Sequence, residues 1–291
     1  MNRLQRNQRT LAREVEVCGV GYWSSQTVRL RFCPAAPHTG VIFVRDDLDG
    51  RPEIPALVEY SEEAARRTVL SRNGASVEMV EHIVAALAGL RIDNCRVFVD
   101  AAEMPGFDGS CQQMVQALDE AGSVTQEAVR PRLLVPRTVR VEMDGCWIEA
   151  RPPASNTMTV EYQLDYGRQS PIPPQSFRVE VTPSLFRREL AASRTFLLAS
   201  EAEALRRQGL GNHVGYRDLL VFDESGPIKN SLRWHDECAR HKALDMVGDL
   251  ALAGCDLSGH FIASRSGHRL NSRIVRALLD ECQRIERRYS A

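Results

Sequence analysis

The segment VEHIVAALAGLRIDNCRVFVD (80–100) changes its period halfway along. Val80, Ile83, Val84 and Leu87 recur at helical spacing, whereas CRVFVD (95–100) alternates as a strand does. What precedes it is all strand-like. In REVEVCGVG, Val15 and Val17 alternate with Glu14, Glu16 and Cys18, and TVRLRF (27–32), GVIFVR (40–45) and IPALVEY (54–60) continue the pattern between Pro-, Gly- and Asp-containing turns. Several strands, then a helix, then a strand predict an α+β layer rather than a doubly wound sheet.

Beyond it, the loop AAEMPGFDGS (101–110) leads into a predicted helix, CQQMVQALDEAG, that stops at Gly122. The second half repeats this sense. VRVEMDGCWIEA, MTVEYQLDY and SFRVEVT read as strands, SLFRRELAASRTF begins a helix, and two more helices, over roughly 234–254 and from about Ser272 onward, flank a strand HFIASRS. A boundary falls near 123–132, and we divide the chain into domains 1–127 and 128–291. HIVAALAGL (82–90) and HKALDMVGDLALAGC (241–255) share a faint echo, a His ahead of Leu-Ala-Gly, that points to internal duplication.

Composition narrows the function classes. A chain of 291 residues, 43% hydrophobic, has length enough for two cores. Its 37 basic and 38 acidic residues leave a net charge of −1, which argues against nucleic acid as a partner. The opening MNRLQRNQRTLAREVEV has no apolar signal core, and no stretch approaches the ~18 apolar residues of a membrane span. Eight cysteines without CxxC spacing, and no N-x-S/T acceptor, suit a reducing compartment, so the expectation is a cytoplasmic protein.

Three places hold candidate chemistry. In HKALDMVGD, His241 and Asp245 stand at i and i+4, on one helix face within reach of one ion, and Asp249 extends that row beside the apolar Leu244, Val247 and Ala251. The same spacing also describes an ordinary i,i+4 contact. Glu81-His82 is a charged pair inside an apolar helix; a buried carboxylate there needs a partner or a cavity, although a satisfied core His with Glu81 favoured by the helix dipole fits equally. In RSGHRLN, Gly267 permits a turn and His268 follows a strand end, a frequent home for catalytic groups but also a plain turn.

Taken together, VEHIVAALAGLRIDN (80–94), EMPGFDGS (103–110), SRTF (193–196), RHKALDMVGDLALAG (240–254) and SGHRLN (266–271), after the opening RTLAREVEVCGVG, stand in the order found in one family. The chain resembles the UDP-3-O-acyl-N-acetylglucosamine deacetylases of lipid A biosynthesis over nearly its whole length. The resemblance implies two similar two-layer α/β sandwich domains, each with a small insert, and an active site between them. It implies zinc on His82, His241 and Asp245, with Fe2+ as the alternative metal. Glu81 matches the general base, His268 the second acid/base residue, Thr195 the oxyanion threonine, and Phe196 a residue near the sugar. Lys242 and Asp249 match neighbours of the site, Asp249 orienting His268. The implied partner is a UDP-linked acylated amino sugar.

Three segments depart from the family pattern. Gly19 to Ser25 reads GVGYWSS where a Gly-Leu-His-Ser-Gly start is usual, ARRTVLSRNG carries only Thr68 where Thr-Thr is common, and GLGNHVGYRDLLVFD (209–223) replaces the usual insert. They bear on substrate recognition more than on metal chemistry, which keeps a paralogous deacetylase of another acetylated sugar in view. A non-catalytic metal-binding scaffold and a non-haem iron oxygenase are the rival readings, the latter because two His and one carboxylate also form its facial triad. GVGYW lacks the third glycine of a dinucleotide fingerprint and reads as a turn. The basic RIERRYSA at the C-terminus suits either transient contact with an anionic membrane surface or a solvated helix face.

Overall fold

A computed structural model describes residues 6–290, with side chains as far as residue 284. The basic C-terminal segment read above thus lies, in its side chains beyond Arg284, outside the described residues. The α+β expectation holds: two sheets and the helices between them build one plan twice.

In the first sheet, Thr27–Pro34 places Val28, Leu30 and Phe32 fully inside and turns Arg29 and Arg31 outward, the period-2 logic of a sheet with one covered face. It pairs with Val15–Val20 on one side and Cys95–Val99 on the other. Val41–Arg45 runs parallel to Cys95–Val99 and carries Glu53–Pro55 at the edge. The second sheet repeats the arrangement. Val139–Met143 and Cys146–Arg151 form a hairpin, Met158–Leu164 and Gln175–Glu180 another, and Asp256–Ser264 enters between them, antiparallel to the first hairpin and parallel to the second. In each half the last strand of the sheet in chain order is its centre, so the helix before it must cross the sheet face.

Those helices are α1 (Glu81–Gly89), α2 (Gln112–Ala121), α3 (Ala199–Arg207), α4 (Glu237–Ala251) and α5 (His268–Ser290). Helices α1 and α4 precede the central strands, and α2 and α5 follow them. Between the fourth strand and the crossing helix, each half inserts a small sheet: Ser61–Glu62, Val69–Arg72 and Ala75–Glu78 in the first, and Phe196–Leu198, Leu220–Asp223 and Gly226–Pro227, with α3, in the second. The echo between 82–90 and 241–255 is therefore an echo of equivalent helices.

Local differences from the sequence reading have physical causes. IPALVEY is strand only as far as Pro55; Val58–Tyr60 is a 3-10 turn, because Val58 N–H leaves the first sheet to donate to Leu252 O of the second half, 2.9 Å away. The helix begun by SLFRREL ends at Leu190, where Ser193 Oγ caps the Leu190 carbonyl at 2.6 Å and Arg194 turns in to a buried Glu237. His268 opens α5 instead of sitting in a free loop.

Helices α1 and α4 pack face to face at the meeting of the two halves, and a glycine permits it. A Cβ on Gly248 would stand 2.1 Å from the Glu81 carbonyl oxygen, a contact no rotamer can relieve because both partners are backbone. Gly248→Ala should therefore force the helices apart, lowering stability by about 1–3 kcal/mol or more as overpacking does and reducing bound metal per folded molecule. Thermal melting with metal analysis checks this, and an unchanged melt would refute the close contact.

Candidate metal centre and active site

The helix contact brings the three candidate ligands together. His82, second residue of α1, and His241, in the second turn of α4, lie with ring centroids 5.0 Å apart and planes near perpendicular. Asp245, one turn beyond His241, reaches between them: its Oδ1 is 3.3 Å from His82 Nε2 and 3.4 Å from His241 Nε2. One ligand atom from each of these three residues lies within 4.8 Å of the others.

Each ligand is prepared from behind. His241 Nδ1 faces the Ser193 carbonyl at 3.2 Å, so the proton sits on Nδ1 and the Nε2 lone pair faces Asp245. Burial drives this imidazole down to about 3, so it stays neutral. Lys242 Nζ donates to Asp245 Oδ2 at 2.7 Å. Burial works against the Asp245 carboxylate, but the Lys242 ammonium bonded to it outweighs burial and helps hold the group well below the usual range. Its other oxygen, Oδ1, is buried and has no hydrogen-bond partner among the described residues. An orphaned carboxylate oxygen between two imidazole nitrogens is a costly arrangement unless a cation completes it. The donor set, two nitrogens and one oxygen, suits a zinc ion with a position left open.

Beside this group lie two further titratable side chains, Glu81 and His268. Glu81 is buried and its carboxyl is raised, chiefly by burial, against the pull of His268 and His82. Its Oε2 accepts from Thr68 N–H at 3.0 Å and its Oε1 lies 3.9 Å from His268 Nε2. His268 Nδ1 donates to Asp249 Oδ2 at 2.8 Å. Burial alone would lower this imidazole; the Asp249 and Glu81 carboxylates overcome it and carry the group up to about 9, an imidazolium at neutral pH. Asp249, fully buried, also accepts from Thr68 Oγ1 at 2.6 Å and from Asn271 Nδ2 at 2.8 Å. Both groups are thus shifted upward, the carboxyl by burial and the imidazole by its two carboxylate neighbours.

The SRTF strip runs along the other wall. Arg194 anchors it through a bidentate bond to Glu237, at 2.7 and 3.0 Å, with both side chains buried. Thr195 is fixed by its backbone, donating to Gly109 O at 2.8 Å and accepting from Leu220 N at 3.0 Å. The GFDGS block serves this purpose: Asp108 caps Ser110 and pairs with Arg233, while Gly109 packs on Thr195. Phe196 sets its ring 6.2 Å from that of His241 and 5.9 Å from Tyr166. The structure thus gathers Glu81, His82, His241, Lys242, Asp245, Asp249 and His268 in one contact network, with Phe196 against it and Thr195 adjoining Phe196. Sequence reasoning gave no site role to Thr68, Asn271 or the Ser193 carbonyl. Only Thr68 left a trace, as the lone threonine of its strip.

A sandwich duplicated around a buried His-His-Asp group, with a carboxyl and an imidazolium beside it, defines a metal-dependent hydrolase in design. Residues 8–280 match the model of the UDP-3-O-acyl N-acetylglycosamine deacetylase family, and the chain belongs to that family. Among relatives named UDP-3-O-acyl-N-acetylglucosamine deacetylase, the protein of Anaeromyxobacter sp. (strain Fw109-5) is 39% identical over 97% of this chain and 92% of its own. That of Thermosynechococcus vestitus is 38% identical over 94% of each chain. The Brucella ovis protein is 37% identical over 94% of this chain and 96% of its own.

Thr68→Val removes a hydroxyl from the Asp249–His268 pair while keeping the N–H on Glu81. A hydrogen bond to a charged group is worth about 1.5–3 kcal/mol, so kcat for acetamide hydrolysis should fall roughly 10- to 100-fold with bound metal unchanged. Thr68→Ser should recover most of it. Equal turnover in Thr68→Val and the native protein would remove Thr68 from the site.

Proposed function

We propose that the chain hydrolyses the acetamide of UDP-3-O-acyl-N-acetylglucosamine to acetate and a free glucosamine amine, a step of lipid A biosynthesis, at a zinc ion held by His82, His241 and Asp245. The observation that carries the metal reading is the partnerless Asp245 Oδ1 between two imidazole nitrogens, and family membership supplies the reaction. Nitrogen and oxygen donors also accept Fe2+, which would fill the same ligands without changing the chemistry. When bound, the ion supplies Lewis acidity toward water and toward a carbonyl.

The protein's own groups account for the proton movements. Glu81, raised by burial, takes a proton from the attacking water as general base. The new C–O bond forms as the carbonyl electrons move onto oxygen, where the Thr195 hydroxyl is the donor assigned to the developing charge. The C–N bond then breaks, and His268, already cationic, gives its proton to the leaving amine. Asp249 holds the His268 ring in register and Lys242 keeps Asp245 ionised and aimed. Phe196 forms an apolar wall beside the sugar.

The domain division at 1–127 and 128–291 belongs to this reading, since the first domain then brings one ligand and the base, and the second brings the other two ligands and the acid. So does a cytoplasmic location with transient contact at the membrane surface. No helix among the described residues is long and apolar enough to cross a membrane.

Acetate release from the named substrate is the deciding assay. Glu81→Ala should keep the metal and lose roughly 10²–10⁴-fold in turnover, the usual worth of a general base, while His241→Ala should lose the metal itself. Full turnover in Glu81→Ala would refute the assigned base, and no acetate from metal-loaded native protein would refute the substrate.

The pH profile tests the acid. His268 must be protonated, so activity should fall as pH rises through about 9. Asp249→Asn removes a carboxylate that raises this group, and the alkaline limb should move to lower pH. A limb that stays in place would assign it to another group.

A further inference from the structure

A cavity of about 540 Å³ opens between the two halves on the side away from the metal group. Its walls are the far ends of the two helices that build the active site: Ala88 and the following Arg91 from α1, Leu250 and Ala251 from α4. From Asp245 to Leu250 is about 7.5 Å along the helix axis at 1.5 Å per residue. The volume lies within the range of roughly 300–1,000 Å³ typical of small-molecule sites.

The lining has two characters. Part of it is apolar, with Val41, Leu57 and Val84 from the first half and Met158, Val181 and Leu257 from the second. The charged part holds four arginines, Arg6, Arg91, Arg130 and Arg132, against two aspartates, Asp93 and Asp256. Arg6 spends its guanidinium on both aspartates, at 2.7 Å each, tying the first half to the second. Arg130 lies 3.1 Å from Asp93, yet its Nε is buried without a hydrogen-bond partner. The side chains of Arg91 and Arg132, both half-buried, have no ion-pair or hydrogen-bond partner among the described residues. The cavity therefore keeps two uncompensated positive charges together with an apolar lining, and a guanidinium so placed favours a carboxylate or phosphate.

We propose that this cavity is a second binding site, for a single-chain amphiphile whose alkyl tail lies on the apolar lining that includes Val41 and Met158 and whose anionic head meets Arg91 and Arg132. Neither an alkyl chain alone nor an anion alone satisfies both parts. A ligand seated there touches both halves, the same halves that supply His82 on one side and His241 and Asp245 on the other, so its binding stabilises their relative placement. The site is separate from the proposed hydrolysis and stands whether or not that reading holds.

Calorimetric titration of the metal-loaded full chain with decanoate, decan-1-ol and inorganic phosphate tests it. Decanoate should bind and raise the melting temperature, with the alcohol and phosphate weaker by roughly tenfold or more, about 1.4 kcal/mol. Arg91→Glu combined with Arg132→Glu should abolish decanoate binding without lowering the ligand-free melting temperature. Ala88→Trp, which fills the cavity and leaves its charge alone, should do the same and serves if the charge reversal does not fold. Decanoate binding that survives either variant would place the ligand elsewhere and overturn the proposal, as would equal affinity for decan-1-ol or for phosphate alone.

Discussion

The backbone contact between Gly248 and the Glu81 carbonyl is the constraint on which the rest of the site depends. Each half of the molecule is a sheet with a helix laid across it, and neither holds three ligands. Only when α1 and α4 approach at backbone distance does His82 come within 3.3 Å of Asp245, and only then does Glu81 come within reach of His268. Fold and centre are thus one problem. The Cβ that any other residue would bring at position 248 would separate both pairs together. Duplication makes the approach natural, since α1 and α4 are equivalent helices, each exposing an apolar face away from its own sheet.

Bringing the helices together creates an electrostatic difficulty that the surrounding residues resolve. Three carboxyl groups, Glu81, Asp245 and Asp249, become buried within one small volume. Isolated, each would cost several kcal/mol to ionise there. The resolution differs at each. Asp245 has Lys242 on one oxygen and a place for a cation at the other; Asp249 has three donors, from Thr68, His268 and Asn271; Glu81 has one backbone N–H and keeps a raised carboxyl. The least compensated group, Glu81, is the one whose carboxyl burial raises. Thr68 links two of them, its N–H on Glu81 and its hydroxyl on Asp249, so one residue holds both carboxylates in place.

Most of this was legible in residue patterns, and the reason is periodicity. The shift from alternation to helical spacing within 80–100 located α1 and the central strand, and His241, Asp245 and Asp249 announced themselves by standing on one face of α4. The ordered blocks carried the family. What escaped were contacts between distant segments with no period of their own. Nothing in IPALVEY shows that Val58 will donate to Leu252, which ends the strand early, and nothing in ARRTVLSRNG marks Thr68 as the residue that reaches both α1 and α4. Backbone partners leave no sequence trace at all: the Ser193 carbonyl sets the tautomer of His241, yet any residue at 193 would present one.

The departures from the family pattern acquire a common explanation in three dimensions. The turn at Gly21–Ser25 and the altered insert at 209–223 lie far apart in sequence, yet His213 of the insert docks on that turn, its Nε2 3.0 Å from Gly21 O and its Nδ1 2.6 Å from Ser25 Oγ. From below, Glu103 holds the same turn, accepting from the Trp23 and Ser24 N–H groups at 2.7 Å. Tyr22 packs under it against Gly106 and donates to the Gly106 carbonyl. The turn itself carries no histidine, and His213 of the insert reaches in from the opposite half. The two segments are therefore joined through one contact. Trp23 of the turn and the insert helix α3 frame a cleft with Arg66 and Arg67, and its lining includes none of Glu81, His82, His241, Asp245 or His268. A change at the helix contact, by contrast, would disturb the His82–Asp245 and Glu81–His268 pairs together, because both depend on the same backbone approach.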